Sequence, residues 1–268
     1  MSSEVRPPAT PRPAATVLLL RDGADGLEVF MVVRHHQIDF AGGALVFPGG
    51  RVEEADHRLA AQLDALLALD PPTLPFRVAA IRETFEECGV LLARRHGSHS
   101  LIDPTVLRRL QDRFRATLNA GTVDFDSVLK AEDLEPATDL LVHFAHWITP
   151  ANQPKRYDTQ FFLTAAPPAH LAVHDGYEAV ESIWIRPVDA LAGAETGRFK
   201  LVFATAKNLE KLARSHIVSE AMERARAATV VTVEPRATRL EGTKRLLRIP
   251  AEADYGGGEF VVDFPPAS

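Results

Sequence analysis

Cys88 is the single cysteine in 268 residues, so no disulfide can form within the chain. Basic charge is not in excess either. The 30 Lys and Arg residues stand against 36 Asp and Glu, a net charge of −6. Nucleic-acid backbones are held by basic stripes, so this balance argues against DNA or RNA as a partner. It leaves room for small phosphorylated ligands, which need only a local basic patch or a metal. No apolar run reaches the roughly 18 residues of a spanning helix, and no membrane association is expected. Residues 1–13 are rich in Pro, Ser and Ala and lack an apolar signal core, so they read as a disordered tail. The chain ends Pro266-Ala267-Ser268, which is not a targeting signal, and a cytoplasmic location is expected. No long Gly/Ser- or Pro-rich linker, internal repeat or low-complexity segment interrupts the middle. Residues 14–268 therefore read as one domain.

Hydrophobic residues make up 46% of the sequence, an ordinary globular share. Ala15–Leu20 and Leu27–Arg34 are apolar runs separated by turn residues and predict a hairpin. Ala44–Phe47 predicts a short strand stopped by Pro48-Gly49-Gly50. His57–Leu69 has apolar residues at helical spacing and ends at Pro71-Pro72. A second helical pattern runs from Phe76 to Cys88, with Gly89 placed as a C-terminal cap. Thr105–Ala120 predicts another helix. Leu141–Thr149, Tyr157–Thr164 and Ser182–Arg186 predict strands, a helix follows Pro187, and Ala204–Ala227 holds one or two helices. The last forty residues mix short strands and turns. This interleaving predicts a mixed sheet covered by helices.

The second helix carries the chemistry. At about 100° per residue, Val78, Ile81, Phe85 and Cys88 form an apolar stripe, and Cys88 reads as a packing residue. Glu83, Glu86 and Glu87 share a roughly 100° arc on the other side. Like charges one turn apart repel, and the C-terminal end of a helix disfavours anions. A divalent cation is the simplest compensation, because hard cations take carboxylate oxygens and keep sites for water and substrate phosphates. A solvated acidic face is the competing reading.

These residues resemble the Nudix box, Gx5Ex7REUxEExGU, where U is a bulky aliphatic. Its C-terminal half matches from Arg82 to Val90, with Thr84 where an aliphatic is usual. Its N-terminal half matches at Phe47-Pro48-Gly49-Gly50. Asp56 stands where the box has its first Glu, and 25 residues, His57 to Ile81, replace its seven-residue spacer. Such an interrupted box resembles one branch of the superfamily, the peroxisomal acyl-CoA diphosphatases and their bacterial relatives. Phe40 to Gly50, Phe76 to Glu83, Trp147 to Pro150 and Pro154 to Thr159 are similar to that branch as well.

The resemblance implies an α/β/α sandwich with a mixed β-sheet, a helical insertion around residues 57–75 within the box, and a C-terminal extension from about residue 192. It also implies hydrolysis of a pyrophosphate bond in a nucleoside-diphosphate derivative, with CoA or acyl-CoA as the expected substrate. Glu83, Glu86 and Glu87 would bind Mg²⁺ or Mn²⁺, with the Gly49 carbonyl as a further ligand. Arg82 would orient a box carboxylate. Gly50 would permit a tight turn, and Gly89 closes the box. Asp56 has two candidate targets, the metal and Arg82. Glu178 and Glu181 are candidate general bases, because some family members carry a loop acid over the site. Arg34, Lys155 and Arg156 are candidate substrate contacts for a nucleotide phosphate. Phe161, Phe162, Trp147 and Trp184 read as core. A nucleotide is the expected partner, and a homodimer is a candidate assembly. The competing readings are a diphosphatase for NADH, ADP-ribose or nucleotide sugars, and a non-catalytic nucleotide sensor.

Overall fold

The computed structural model describes residues 8–34, 43–64, 71–168 and 179–263. β1 (Arg12–Gly23) and β2 (Gly26–Arg34) form the expected hairpin, turning tightly between Gly23 and Gly26. β1 begins within the segment expected to be a tail, because Arg12 and Pro13 continue its pairing with Tyr157 and Asp158. Val17 and Leu19 enter one apolar core while Leu18 and Leu20 enter another. A strand buried on both faces explains why this run is apolar without alternation.

β1 and β2 pair only near their turn, from Leu20–Val29 to Gly23–Gly26. Beyond that they splay, and the next segment fills the fork. β3 (Leu45–Val46) lies along β2, and β4 (Gly49–Arg51) lies along β1. The Pro48 carbonyl accepts from the Val17 N–H between them, at 2.9 Å. The segment Phe47 to Arg51 is thereby fixed beside the central strand.

α1 (Glu54–Asp64) starts earlier than expected, and residues 65–70, where the expected helix ended, lie outside the described residues. α2 (Leu74–Cys88) carries Pro75 in its first turn and ends at Gly89, whose left-handed backbone has φ 71°. The Gly89 and Val90 N–H groups donate back to the Phe85 and Thr84 carbonyls. β5 (Ala93–Arg95) follows. The single helix expected over 105–120 is a broken run. α3 (Pro104–Leu110) passes through a π-helical turn, Gln111–Arg115, into α4 (Ala116–Asn119). After α5 (Phe125–Ala131), β6 (Leu134–Pro136) pairs with β5.

β7 (Val142–Ile148) and β8 (Tyr157–Ala165) are antiparallel, and β8 runs parallel to β1 along its length. β9 (Ala179–Ile185) pairs with β2. The chain then forms α6 (Pro187–Glu195), α7 (Phe203–Leu212) and α8 (Val218–Ala227). β10 (Thr232–Val233) closes the far edge of the main sheet beside β7. β11 (Arg236–Arg239), β12 (Lys244–Arg248) and β13 (Glu259–Asp263) make a small antiparallel sheet.

The result is the expected α/β/α sandwich around a mixed sheet. One core packs α1, α2 and the α3–α5 region against the sheet, and the other packs α6–α8 and the segment that carries Ile249, Ala253 and Tyr255. Among the described residues, no helix is long and apolar enough to cross a membrane.

Candidate active site

α2 is buried almost all round, which removes the solvated-face reading of its acids. The Glu83, Glu86 and Glu87 side chains are only 12%, 14% and 8% exposed. Thr84, the departure from the aliphatic pattern, is fully buried, and its hydroxyl donates to the Ala80 carbonyl at 2.6 Å. That bond, one turn back on its own helix, satisfies the polar group, so threonine fills a place usually held by an aliphatic.

Arg82 lies at the centre. Its Nε and Nη2 donate to the two Asp56 oxygens at 3.1 and 3.0 Å, and Nη2 also donates to the Arg51 carbonyl at 2.8 Å. Nη1 donates to Glu83 and Glu86, at 2.9 Å each. These bonds use all five N–H groups of the guanidinium. Burial alone would lower the Arg82 pKa, but Glu83, Asp56 and Glu86 together outweigh it, and the group is held firmly charged. Of its two candidate targets, Asp56 meets Arg82. Its Oδ2 also accepts the Glu53 N–H at 2.8 Å, capping the start of α1. One short acid thus joins the two halves of the interrupted motif.

The glycines have distinct jobs. Gly49 has φ +154°, and a Cβ there would stand 2.3 Å from the Ala15 carbonyl oxygen. Its N–H donates to Glu87 Oε2 at 2.9 Å, tying β4 to α2. At Gly50 a Cβ would stand 2.3 Å from Glu83 Oε1, so the Glu83 carboxylate rests against the bare Cα.

The C-terminal end of α2 is held by residues that sequence reasoning missed. Arg115 donates from Nε to the Glu86 carbonyl at 2.9 Å and from Nη2 to the Glu87 carbonyl at 2.8 Å. Gln111 Nε2 donates to the Gly89 carbonyl at 2.6 Å. Both sit on the π-helical turn. A cation at this end offsets the dipole that disfavours the glutamates. The only sequence signal for this turn is an amphipathic helical stretch, which does not reveal a π-bulge.

Glu83 and Glu86 line a cavity of about 790 Å³ together with Gly49, Gly50, Arg51 and Glu53. Arg51 is an exposed cation on that wall and directly follows the glycines. The Glu86 carboxyl is pushed up to about 7, first by burial and then by Glu53 and Asp56, against the opposing pull of Arg82. The donor set is all hard oxygen, which suits Mg²⁺ or Mn²⁺ better than a thiophilic ion. Among the described residues, no three acidic, histidine or cysteine side chains are already gathered as a cage.

The other expected residues lie elsewhere. Arg156 is buried. It donates to the Thr149 and Ala9 carbonyls at 2.9 and 2.8 Å and to Glu234 at 2.6 Å, a clasp between chain segments that the substrate-contact expectation did not anticipate. Lys155 is exposed, and neither residue is among those lining the cavity. Glu181 is exposed on β9, paired with Val33. Glu178 and the Arg34 side chain lie outside the described residues. Cys88, Phe161 and Phe162 are core, and Trp184 packs edge-on against Phe30. Trp147 is buried and also lines the cavity.

Comparison with known proteins gives the family and the fold. Residues 58–201 match the family model described as the NUDT19 Nudix domain. The chain is 29% identical over 173 residues to the putative nudix hydrolase 7 of Caenorhabditis elegans, covering 65% of this chain and 51% of that protein. It is 30% identical over 236 residues to the acyl-coenzyme A diphosphatase NUDT19 of Gallus gallus, covering 67% and 62% respectively. The chain thus spans between half and two thirds of the length of these curated relatives. A crystal structure of a NUDIX hydrolase from Alicyclobacillus acidocaldarius matches with a TM-score of 0.67 at 27% identity, over 80% of this chain and 96% of that one.

Proposed function

Because this chain belongs to the NUDT19 Nudix domain family, we propose that it hydrolyses the pyrophosphate bond of CoA or an acyl-CoA, giving adenosine 3′,5′-bisphosphate and (acyl-)phosphopantetheine. The observation that carries this reading is the pair Glu83 and Glu86, turned by Arg82 toward a cavity bordered by Gly49, Gly50 and Arg51. The choice of substrate is supported by relatives named acyl-coenzyme A diphosphatase.

Glu83 and Glu86, with Glu87 behind them, are the residues that would hold Mg²⁺ or Mn²⁺. The ion would offset the pyrophosphate charge and lower the pKa of a water for attack on phosphorus. Arg82 sets the orientation of Glu83 and Glu86, and Gly49 sets that of Glu87. Gly50 keeps the space beside Glu83 open, and Arg51 places a cation where an anionic substrate enters. The chain's own contribution is therefore a prearranged carboxylate array on a rigid helix.

The test is hydrolysis of CoA, octanoyl-CoA, NADH, ADP-ribose and a UDP-sugar side by side with Mg²⁺. CoA species should turn over fastest and release adenosine 3′,5′-bisphosphate. Turnover of ADP-ribose without turnover of CoA would overturn the substrate assignment.

A further inference from the structure

The family match ends at residue 201, yet the chain beyond it builds one wall of the same cavity. Val202, Phe203 and Thr205 come from the start of α7, Ala237 from β11 and Leu247 from β12. A single row of paired residues crosses the sheet toward them: Arg51 on β4, Ala14 on β1, Thr159 on β8 and Trp147 on β7. All four line the cavity. At about 4.8 Å per strand, Trp147 lies roughly 14 Å from Arg51.

The two ends differ in character. Arg51, Glu53, Glu83 and Glu86 mark one end. At the other, the Trp147 ring meets Phe203 edge-on, with centroids 5.9 Å apart. Trp147 is fixed from behind, because Nε1 donates to the Tyr255 hydroxyl at 2.9 Å and that hydroxyl donates to Asn208 at 2.8 Å. Thr205 is 5% exposed and lines the cavity.

We propose that this C-terminal wall holds the acyl chain of a thioester substrate whose pyrophosphate lies at the Glu83–Glu86 end. The inference rests on the acyl-CoA reading above and assigns part of that substrate to residues outside the family match. Val202, Phe203, Ala237 and Leu247 offer no side-chain donors or acceptors. A nucleotide base against them would leave its polar edge unpaired, which is costly when buried, whereas a hydrocarbon chain loses nothing there. Thr205 supplies one hydroxyl, enough for the carbonyl where the chain begins.

Ala237 is exposed on a small sheet, so Ala237→Trp narrows this end of the cavity without disturbing either core. The readout is the ratio of kcat/KM for octanoyl-CoA to that for CoA. The wild-type ratio should exceed one, and the variant should lower it about tenfold or more, as expected when several methylenes lose their burial. An equal loss on both substrates, or no change in the ratio, would overturn the proposal. If neither substrate is hydrolysed, the functional reading fails, and calorimetric titration with octanoyl-pantetheine then decides. Wild-type binding that Ala237→Trp abolishes supports an acyl-chain site. No wild-type binding, or equal binding by both proteins, refutes it.

Discussion

Arg115 donates to the Glu87 main-chain carbonyl at 2.8 Å, so a cation on the π-helical turn caps the helix that carries the acidic side chains. Its Nε makes the matching bond to the Glu86 carbonyl. The charge that α2 needs at its C-terminal end comes from a neighbouring element.

Arg115→Ala should therefore cost about 1–3 kcal/mol, because two helix-terminal carbonyls lose their donors. It should also reduce the Mg²⁺-induced rise in Tm, since the turn bearing Glu86 and Glu87 frays. Differential scanning calorimetry with and without Mg²⁺ measures both. An unchanged Tm in EDTA would show that the cap is dispensable.

Removing Arg82 should be far more damaging. Asp56 is 1% exposed, and Arg82→Ala leaves it buried without its cation, at a cost of about 3–5 kcal/mol. The double variant Asp56→Asn/Arg82→Ala should recover part of that loss by removing the stranded charge. Urea denaturation of the two single variants and the double variant gives the coupling. Simple additivity would contradict the clamp.

Neighbouring glycines should fail in different ways. Gly50→Ala meets the end of a flexible side chain, so the fold should survive while Glu83 is pushed aside and activity falls tenfold or more. Gly49→Ala meets the backbone of β1 at a φ that alanine resists, and should cost more than about 2 kcal/mol of stability. Parallel assays of turnover and urea midpoint separate these outcomes. Equal stability of the two variants would count against the assignment.

Glu86 predicts a pH effect. Its carboxyl titrates near 7 in the folded chain against 4.5 ordinarily, so the folded state holds a proton that the unfolded state has already released. That contribution is complete below about pH 4.5 and is lost as the pH rises through about 7. A shift of that size corresponds to roughly 3 kcal/mol at most. In EDTA, Glu86→Gln should remove this slope and be more stable than wild type at pH 8, with little difference at pH 4.5. Urea midpoints across that range measure it, and identical slopes would refute the burial argument.

The acidic face of α2 is legible in the sequence because helical periodicity is local. Gly49 and Gly50 are legible because a motif keeps them together. Asp56 is legible as a position but not as a partner, since its choice of Arg82 depends on how α1 packs against α2. Arg115 and Gln111 are hidden because their partners are main-chain carbonyls of another helix, which no side-chain pattern encodes. Arg156 shows the opposite limit. Its charge is visible, but the three segments that bury it meet only in the fold. The wall built by Val202, Ala237 and Leu247 is invisible for the same reason, because ordinary apolar residues reveal a cavity only once three elements converge.

The Asp56–Arg82 clamp also makes the intervening stretch modular. Once both ends are fastened to each other, residues 57–81 are a closed loop of chain, and the connection from α1 to α2 within it is an excursion whose length is decoupled from the geometry of the acids. Growth of that loop from seven residues to 25 adds about 1 kcal/mol of closure entropy. Lineages sharing the clamp can therefore lengthen, trim or decorate this excursion with little penalty, and a small folded module grafted there would ride on the enzyme without retuning its chemistry.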